Sequence, residues 1–263
     1  GGILNTGTLN LNDSTVSNND APGGCGGIDN RDTATLAGTT ISGNTSADHA
    51  GGLTNRGTLS LINSTVSGNR GLSGVGGIEN FGTLNLFSST VSGNSSDVSG
   101  GIYGARGGII VANSIIAGNF GPSGPSDPNA DCTLSPLSTF DSRGYDLFGQ
   151  GTGCTLDPRD VAAGADAVSN FLGPLEDNGG PTLTQALLAV PNNPAVEGGD
   201  PAGCRDPRGR ILTTDQGGQP RRSPAAGRCD IGAFELQSTP SFGNFSSSSQ
   251  SSLLSPMGVA VAA

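Results

Sequence analysis

The stretch GGLTNRGTLSLINSTVSGN, residues 51–69, is spelled almost unchanged by its neighbours. GGILNTGTLNLNDSTVSNN opens at Gly1, GGIDNRDTATLAGTTISGN at Gly26, GGIENFGTLNLFSSTVSGN at Gly76 and GGIYGARGGIIVANSIIAGN at Gly100. The spacings are therefore 25, 25, 25 and 24 residues. Self-similarity at such a period marks a solenoid, propeller or array. Each unit contains GGI-x-N, T-L-x-L and S-T-V-S, short segments with the period-two alternation and β-branched content of strands. No apolar spacing of three and four persists long enough for helical repeats, and propeller blades need roughly 40 residues. Three short strands per 25-residue unit read as one coil of a right-handed parallel β-helix.

The alignment fixes the expected core. Ile3, Ile28, Leu53, Ile78 and Ile102 form one column, and Leu9, Ala34, Leu59, Leu84 and Ile109 a second. Leu11, Leu36, Leu61, Leu86 and Val111 form a third, and Val16, Ile41, Val66, Val91 and Ile116 a fourth. Coils ~4.8 Å apart turn each column into an apolar wall that no single coil could bury alone. Asn19, Asn44, Asn69, Asn94 and Asn119 also align, and stacked turn asparagines satisfy one another's amides. The glycines are read as serving bends that need positive φ. Val66→Asp should cost several kcal/mol by burying an unpaired charge, whereas Thr65, read as facing outward, should tolerate Asp.

The organisation read from the chain is coils over 1–120, a continuation and disulfide-bearing cap over 121–236, and a Ser-rich tail over 237–263. Within the middle region, 121–160 reads as a long Gly/Pro loop, 182–190 as a strand followed by a short helix, and 230–236 as a final strand. The absence of an initiator Met or signal peptide reads as a mature or excised fragment. The closing MGVAVAA is too short to span a membrane and reads as a truncated anchor signal.

A net charge of −10 without any lysine argues against a nucleic-acid partner. Eight of the twelve arginines follow residue 120. None of the five cysteines forms a C-x-x-C pair. Their spacing suggests two local loops, Cys132–Cys154 and Cys204–Cys229, with Cys25 left over, and hence an oxidising compartment.

NSIIAGN, RGYDLFG, LGPLEDNGGPTLTQALL, NNPAVEGGDPAGC, DQGGQPR and CDIGAFE together resemble the C-terminal region of choice-of-anchor Q domain proteins. The coils before them resemble polymorphic outer membrane protein repeats. The likeness covers residues 1–236, with DQGGQPR and VEGGDP departing slightly from the usual DQRGxPR and IDAGDP. It implies a pectin-lyase-like β-helix, exported from a bacterium and held at the cell surface.

That fold also hosts enzymes that cut acidic polysaccharides, but fold does not fix function. The Asn-Thr-Asp, Asp-Asp, Gly-His-Gly and Arg-Ile-Lys segments of polygalacturonase-like hydrolases are missing, and Arg210-Ile211-Leu212 lacks the lysine. Asp29 and Glu79 share a column interrupted by Leu4 and Thr54, and His49 has no evident partner; both read as solvated surface. Asp127, Asn129 and Asp131 offer oxygens at alternate positions, as calcium loops do, without the central glycine or the later Glu. They read as a polar turn, with calcium as the alternative and no other cofactor expected. Asp177 and Asn178 read as turn formers, and Asp215, Arg221, Arg222 and Asp230 as an ion network closing the cap. Thr15, Ser17, Thr40, Ser42, Thr65, Ser67, Thr90 and Ser92 put hydroxyls on one flat sheet, read as a soluble outer face or a face for glycan or ice. The chain is thus expected to be a non-catalytic surface stalk or adhesin-like module, secreted or at the cell surface. Surface glycans or other cell-surface proteins are its expected partners, and no membrane span lies in the chain. A polysaccharide lyase or hydrolase is the alternative, and a fibre of head-to-tail stacked copies is another.

Overall fold

The structure, a computed structural model, describes residues 1–127, 130–149, 153–164, 168–222 and 227–237. The chain is an all-β parallel solenoid of about five turns with almost no helix. The GGI-x-N segments Ile3–Asn5, Ile28–Asn30, Leu53–Asn55, Ile78–Asn80 and Ile102–Gly104 build a first sheet, which Cys132–Leu134 completes. Thr8–Asn12, Thr33–Ala37, Thr58–Ile62, Thr83–Phe87, Gly107–Ala112 and Ser138–Ser142 build the second. Thr15–Ser17, Thr40–Ser42, Thr65–Ser67, Thr90–Ser92, Ile115–Ile116, Leu147–Phe148 and Val161–Ala162 build the third.

The register is the one the sequence columns require. Ile28 pairs Leu53, Leu59 pairs Leu84, Leu61 pairs Leu86 and Val66 pairs Val91. These side chains are fully buried in one continuous core. A Leu61→Ala cavity in such a wall costs about 2–5 kcal/mol.

Several local expectations change. A fourth sheet of two-residue strands, Asp20–Ala21, Thr45–Ser46, Arg70–Gly71 and Ser95–Ser96, closes each of the first four coils where a plain bend was expected. The expected loop over 121–160 contains a sixth coil, Cys132–Leu134, Ser138–Ser142 and Leu147–Phe148, whose insertion-disturbed spacing hides it from repeat counting. Thr184–Leu187 is a strand as expected, but it pairs antiparallel with Leu172–Glu176 and no helix follows it. Residues 230–236 form no strand; the amides of Asp230, Glu235 and Leu236 go to side-chain carboxylates, and those of Ile231 and Gly232 to the isolated carbonyls of Ala195 and Asn113. The tail from 238 lies outside the described residues, among which no helix is long and apolar enough to cross a membrane.

Polar side chains lock the stack along its axis. Asn19, Asn44, Asn69 and Asn94 each donate both backbone N–H and Nδ2 to the Oδ1 of the asparagine in the following coil, at 2.9–3.1 Å. From Asn44 onward, Nδ2 also reaches a carbonyl of the preceding coil, as in Asn69 to Ile41 O at 2.9 Å. A second ladder, unforeseen in the sequence, links Asn5, Asn30, Asn55 and Asn80 at 2.7–2.8 Å. A third uses hydroxyls: the amides of Thr39, Ser64 and Ser89 donate to the Oγ of Ser64, Ser89 and Ser114.

The paired glycines make room for the first ladder. A Cβ on Gly27, Gly52 or Gly77 would stand 3.2 Å from the Nδ2 of Asn44, Asn69 or Asn94, and tighter still against the next coil's carbonyl. Close approach explains these glycines better than the expected positive φ. In the coils positive φ falls instead on other glycines, chiefly those before the ladder asparagines, such as Gly43, Gly68 and Gly93.

Asn69→Ala removes the acceptor of two buried donors on Asn44. Each orphaned donor costs about 1–3 kcal/mol, so urea unfolding should show a loss of roughly 3 kcal/mol. A change within the ordinary surface range of about 0.5 kcal/mol would contradict the ladder.

Candidate functional site

The hydroxyl face of the third sheet is not free. Thr40, Thr65 and Thr90 are buried, as are Ser42, Ser67 and Ser92; only Thr15 is exposed, with Ser17 half-buried. The chain's own C-terminal region covers them. Thr65 Oγ1 donates to Gln216 Oε1 at 2.6 Å, and Gln216 Nε2 donates to Thr40 Oγ1 at 2.8 Å and Thr182 Oγ1 at 2.9 Å. Thr40 Oγ1 donates to the Leu183 carbonyl at 2.6 Å, and Thr90 Oγ1 accepts the Ala233 amide at 3.1 Å. The face expected to be a soluble outer surface, or one for glycan or ice, is thus a docking track for the cap, and the expected tolerance of Thr65 to Asp is corrected with it. Period-two alternation tells inside from outside but cannot see a second layer.

The cap is held by the network expected around Arg221, with different partners. The buried Arg221 pairs with Glu235 at 3.1 Å and donates to Asn63 Oδ1 at 3.0 Å and the Gly232 carbonyl at 2.7 Å. Asp215 accepts the Gln219 and Glu235 amides, and Asp230 accepts those of Glu197 and Leu236. Arg222 pairs with Glu197 at the surface. Sequence reading missed Glu235, Asn63 and Gln216; the first and last stand inside CDIGAFE and DQGGQPR, but their partners lie up to 176 residues away. Asp177 and Asn178 shape their turn as expected, through the Gly179 amide and the Thr184 carbonyl.

Cys132 is bonded to Cys154 and Cys204 to Cys229, with Cα separations of 6.0 and 6.1 Å, and Cys25 is free and buried. Burial pushes the Cys25 thiol up to about 11, which keeps it an unreactive thiol in the column with Ala50 and Val75.

Of the calcium trio, Asn129 lies outside the described residues. Asp127 accepts the Ser123 amide at 3.1 Å. Asp131 is buried, and its Oδ1 accepts both the backbone N–H and Nδ2 of Asn119 at 2.8 Å, which ends the asparagine ladder. The hydroxyl ladder ends likewise: the Ser114 amide donates to Asp146 Oδ1 at 2.7 Å. Desolvation holds the Asp146 carboxyl well above the usual carboxylate range, with Asp160 adding to it. No group of three or more metal-ligating side chains is assembled among the described residues.

On the first sheet the outward column runs Leu4, Asp29, Thr54, Glu79 and Tyr103. His49 does have a partner: its Nδ1 lies 3.3 Å from Glu79 Oε2, beside Thr54 Oγ1 at 3.4 Å. Arg31 pairs with Asp29 at 2.8 Å, and Arg56 stacks 4.7 Å over the Phe81 ring. The second sheet's outer face is flanked by cap residues 200–215, which enclose two recesses of about 290 and 410 Å³ against the strand ends.

A scan against protein-family models and searches of curated proteins and of solved structures gave no match to this chain.

Two outcomes follow. Thr65→Asp places a carboxylate against Gln216 Oε1, so limited proteolysis should release the 172–237 region while the solenoid survives; Val66→Asp should unfold the coils. Burial pushes the Asp230 carboxyl up to about 6, from an ordinary 3.8. Between those values the folded chain holds a proton that the unfolded chain has released, so this stabilisation is complete below 3.8 and is lost as pH rises through about 6. About two pH units correspond to roughly 3 kcal/mol. The urea midpoint should therefore rise from pH 7 to pH 4.5, and the rise should shrink in Asp230→Asn.

Proposed function

We propose that this chain is a non-catalytic module of the bacterial cell surface, a rigid solenoid that displays the outer faces of its first two sheets to glycans or surface proteins. One observation carries the reading: the motif residues with chemical potential are taken up by structure. The conspicuous motifs DQGGQPR and CDIGAFE supply Gln216, Arg221 and Glu235 to cap docking. The buried aspartates 131 and 146 end ladders, and Asp215 and Asp230 hold backbone amides. The two disulfides support an extracellular setting. The residues that resemble choice-of-anchor Q domains support surface attachment, since such proteins end in variable anchoring segments.

Ladder polarity argues against a head-to-tail fibre. Asn44, Asn69 and Asn94 each accept from the coil before and donate through Nδ2 to the coil after, whereas the Asp131 carboxylate has no side-chain N–H to donate onward. A second copy would therefore not find the side-chain half of this ladder continued beyond Asp131.

Asp29 and Glu79 keep the enzymatic alternative in view. They stand two coils apart, ~9.6 Å at the usual strand spacing, near the ~6.5–9.5 Å separation of inverting glycosidases. Asp29 is paired with Arg31, and Glu79 faces His49 and Thr54.

Purified chain incubated with pectate, alginate and a panel of surface glycans should bind without releasing reducing ends or unsaturated products. Turnover that disappears in both Asp29→Asn and Glu79→Gln would replace this reading with the enzymatic one.

A further inference from the structure

The recess of about 290 Å³ lies between the second sheet and the cap, with Phe87 and Ile110 on its floor and Asn85 beside them. Arg143 from the sixth coil and Arg205 from the cap stand on its walls. Arg205 is fixed by neutral groups: Nη1 donates to the Gly209 carbonyl at 2.8 Å and Nη2 to the Ala202 carbonyl at 3.1 Å. Among the described residues no carboxylate pairs with it, so a pre-oriented guanidinium carries its full charge at the recess.

The wall's acids are already engaged. Asp206 accepts the amides of Arg208 and Arg210 and pairs with the Arg210 side chain at 2.7 Å, and Asp200 accepts the Ala202 amide. Among the described residues Arg143 pairs with the exposed Asp141 alone, a contact worth little in water. Just behind, Arg228 is likewise held by carbonyls, those of Gly198 and Gly199, with its guanidinium 5.1 Å from the Tyr145 ring. The lining thus brings together two guanidiniums, of which Arg205 has no carboxylate partner among the described residues, with Asp206 already paired to Arg210 and Asp200 turned to the Ala202 amide.

The recess is also part of a longer groove. The neighbouring recess of about 410 Å³ shares the Asp206 wall, and its floor residues Asn12, Ala37 and Ile62 stand in the same register column as Phe87. A lone anion would use only the arginines; an apolar floor, an amide beside it and a groove leading away fit a ring with an attached chain.

We infer that this recess is a subsite for an acidic sugar of a glycan, its carboxylate held between Arg143 and Arg205 and its C–H face laid on Phe87 and Ile110. The inference rests on the binding-module reading and gives that reading a location and a ligand class.

Titration calorimetry and amide chemical shifts on the full chain test it, with the glucuronosyl-glucose disaccharide, cellobiose and inorganic phosphate as probes. The acidic disaccharide should bind at least about tenfold more tightly than cellobiose and shift amides around Phe87, Arg143 and Arg205. Arg205→Gln and Arg143→Gln should each weaken it by about tenfold or more with unchanged melting, while Arg31→Gln on the first sheet should bind as the parent does. Equal affinity for cellobiose, no binding of the acidic disaccharide, or the same shifts from phosphate alone would overturn the subsite. Glycan binding that ignores both arginine variants would also overturn it, while leaving the binding-module reading standing.

Discussion

Everything in this fold depends on polar groups that must find partners along the solenoid axis. A parallel sheet satisfies the backbone within strands, but each coil also has corners, where the chain turns and its amides would otherwise be orphaned inside the protein. The asparagine and serine columns answer this need at consecutive corners. Asn69 shows the arrangement: its Oδ1 accepts two bonds from Asn44, its amide and Nδ2 donate to Asn94, and the remaining Nδ2 hydrogen reaches Ile41 O. Every atom is used, which is why the side chain can be fully buried. The close stacking of coils also selects the glycine pair at the start of each coil, where a Cβ would collide with backbone of a neighbouring turn.

A ladder with direction needs an end. Two of the three ladders end on an aspartate, Asp131 for the one from Asn19 and Asp146 for the hydroxyls, just where the sequence repeat is lost. From there the chain turns back and lies along the third sheet, reaching as far as Thr40 in the second coil through Gln216. The cap is therefore not a plug on one end but a second layer beside the coils. Its docking residues are threonines that repeat because the coils repeat, so one surface serves several contacts. This leaves the first and second sheets as the faces on which recognition can occur, and the arginines of the cap loop border the second.

The coils were legible in the sequence because each column is a local pattern copied at a fixed spacing. The core residues Ile28, Leu61 and Val66 need only that period and strand alternation to be identified. The sixth coil was not legible: insertions before Cys132 and before Ser138 shift its strands, and Cys132 and Phe148 take core positions that the earlier coils give to aliphatic residues. The burial of Thr65 was not legible either, since its cover comes from Gln216, 151 residues away. The Arg221 network was half legible. Charged residues crowd the C-terminal motifs, but which acid pairs with the arginine and which hold amides depends on where the chain folds back. The Arg205 recess gave no sequence signal, because its floor and walls come from three separated segments.

Amide hydrogen exchange followed by NMR tests the central claim most directly, because the backbone N–H groups of Asn44, Asn69 and Asn94 bond to side-chain oxygens of the next coil rather than to a strand. If these ladders hold the coils together, the three amides exchange only through global unfolding, as slowly as those of Leu61 and Val66. Exchange of these corner amides at the rate of exposed turns, while Leu61 and Val66 stay protected, would contradict the account.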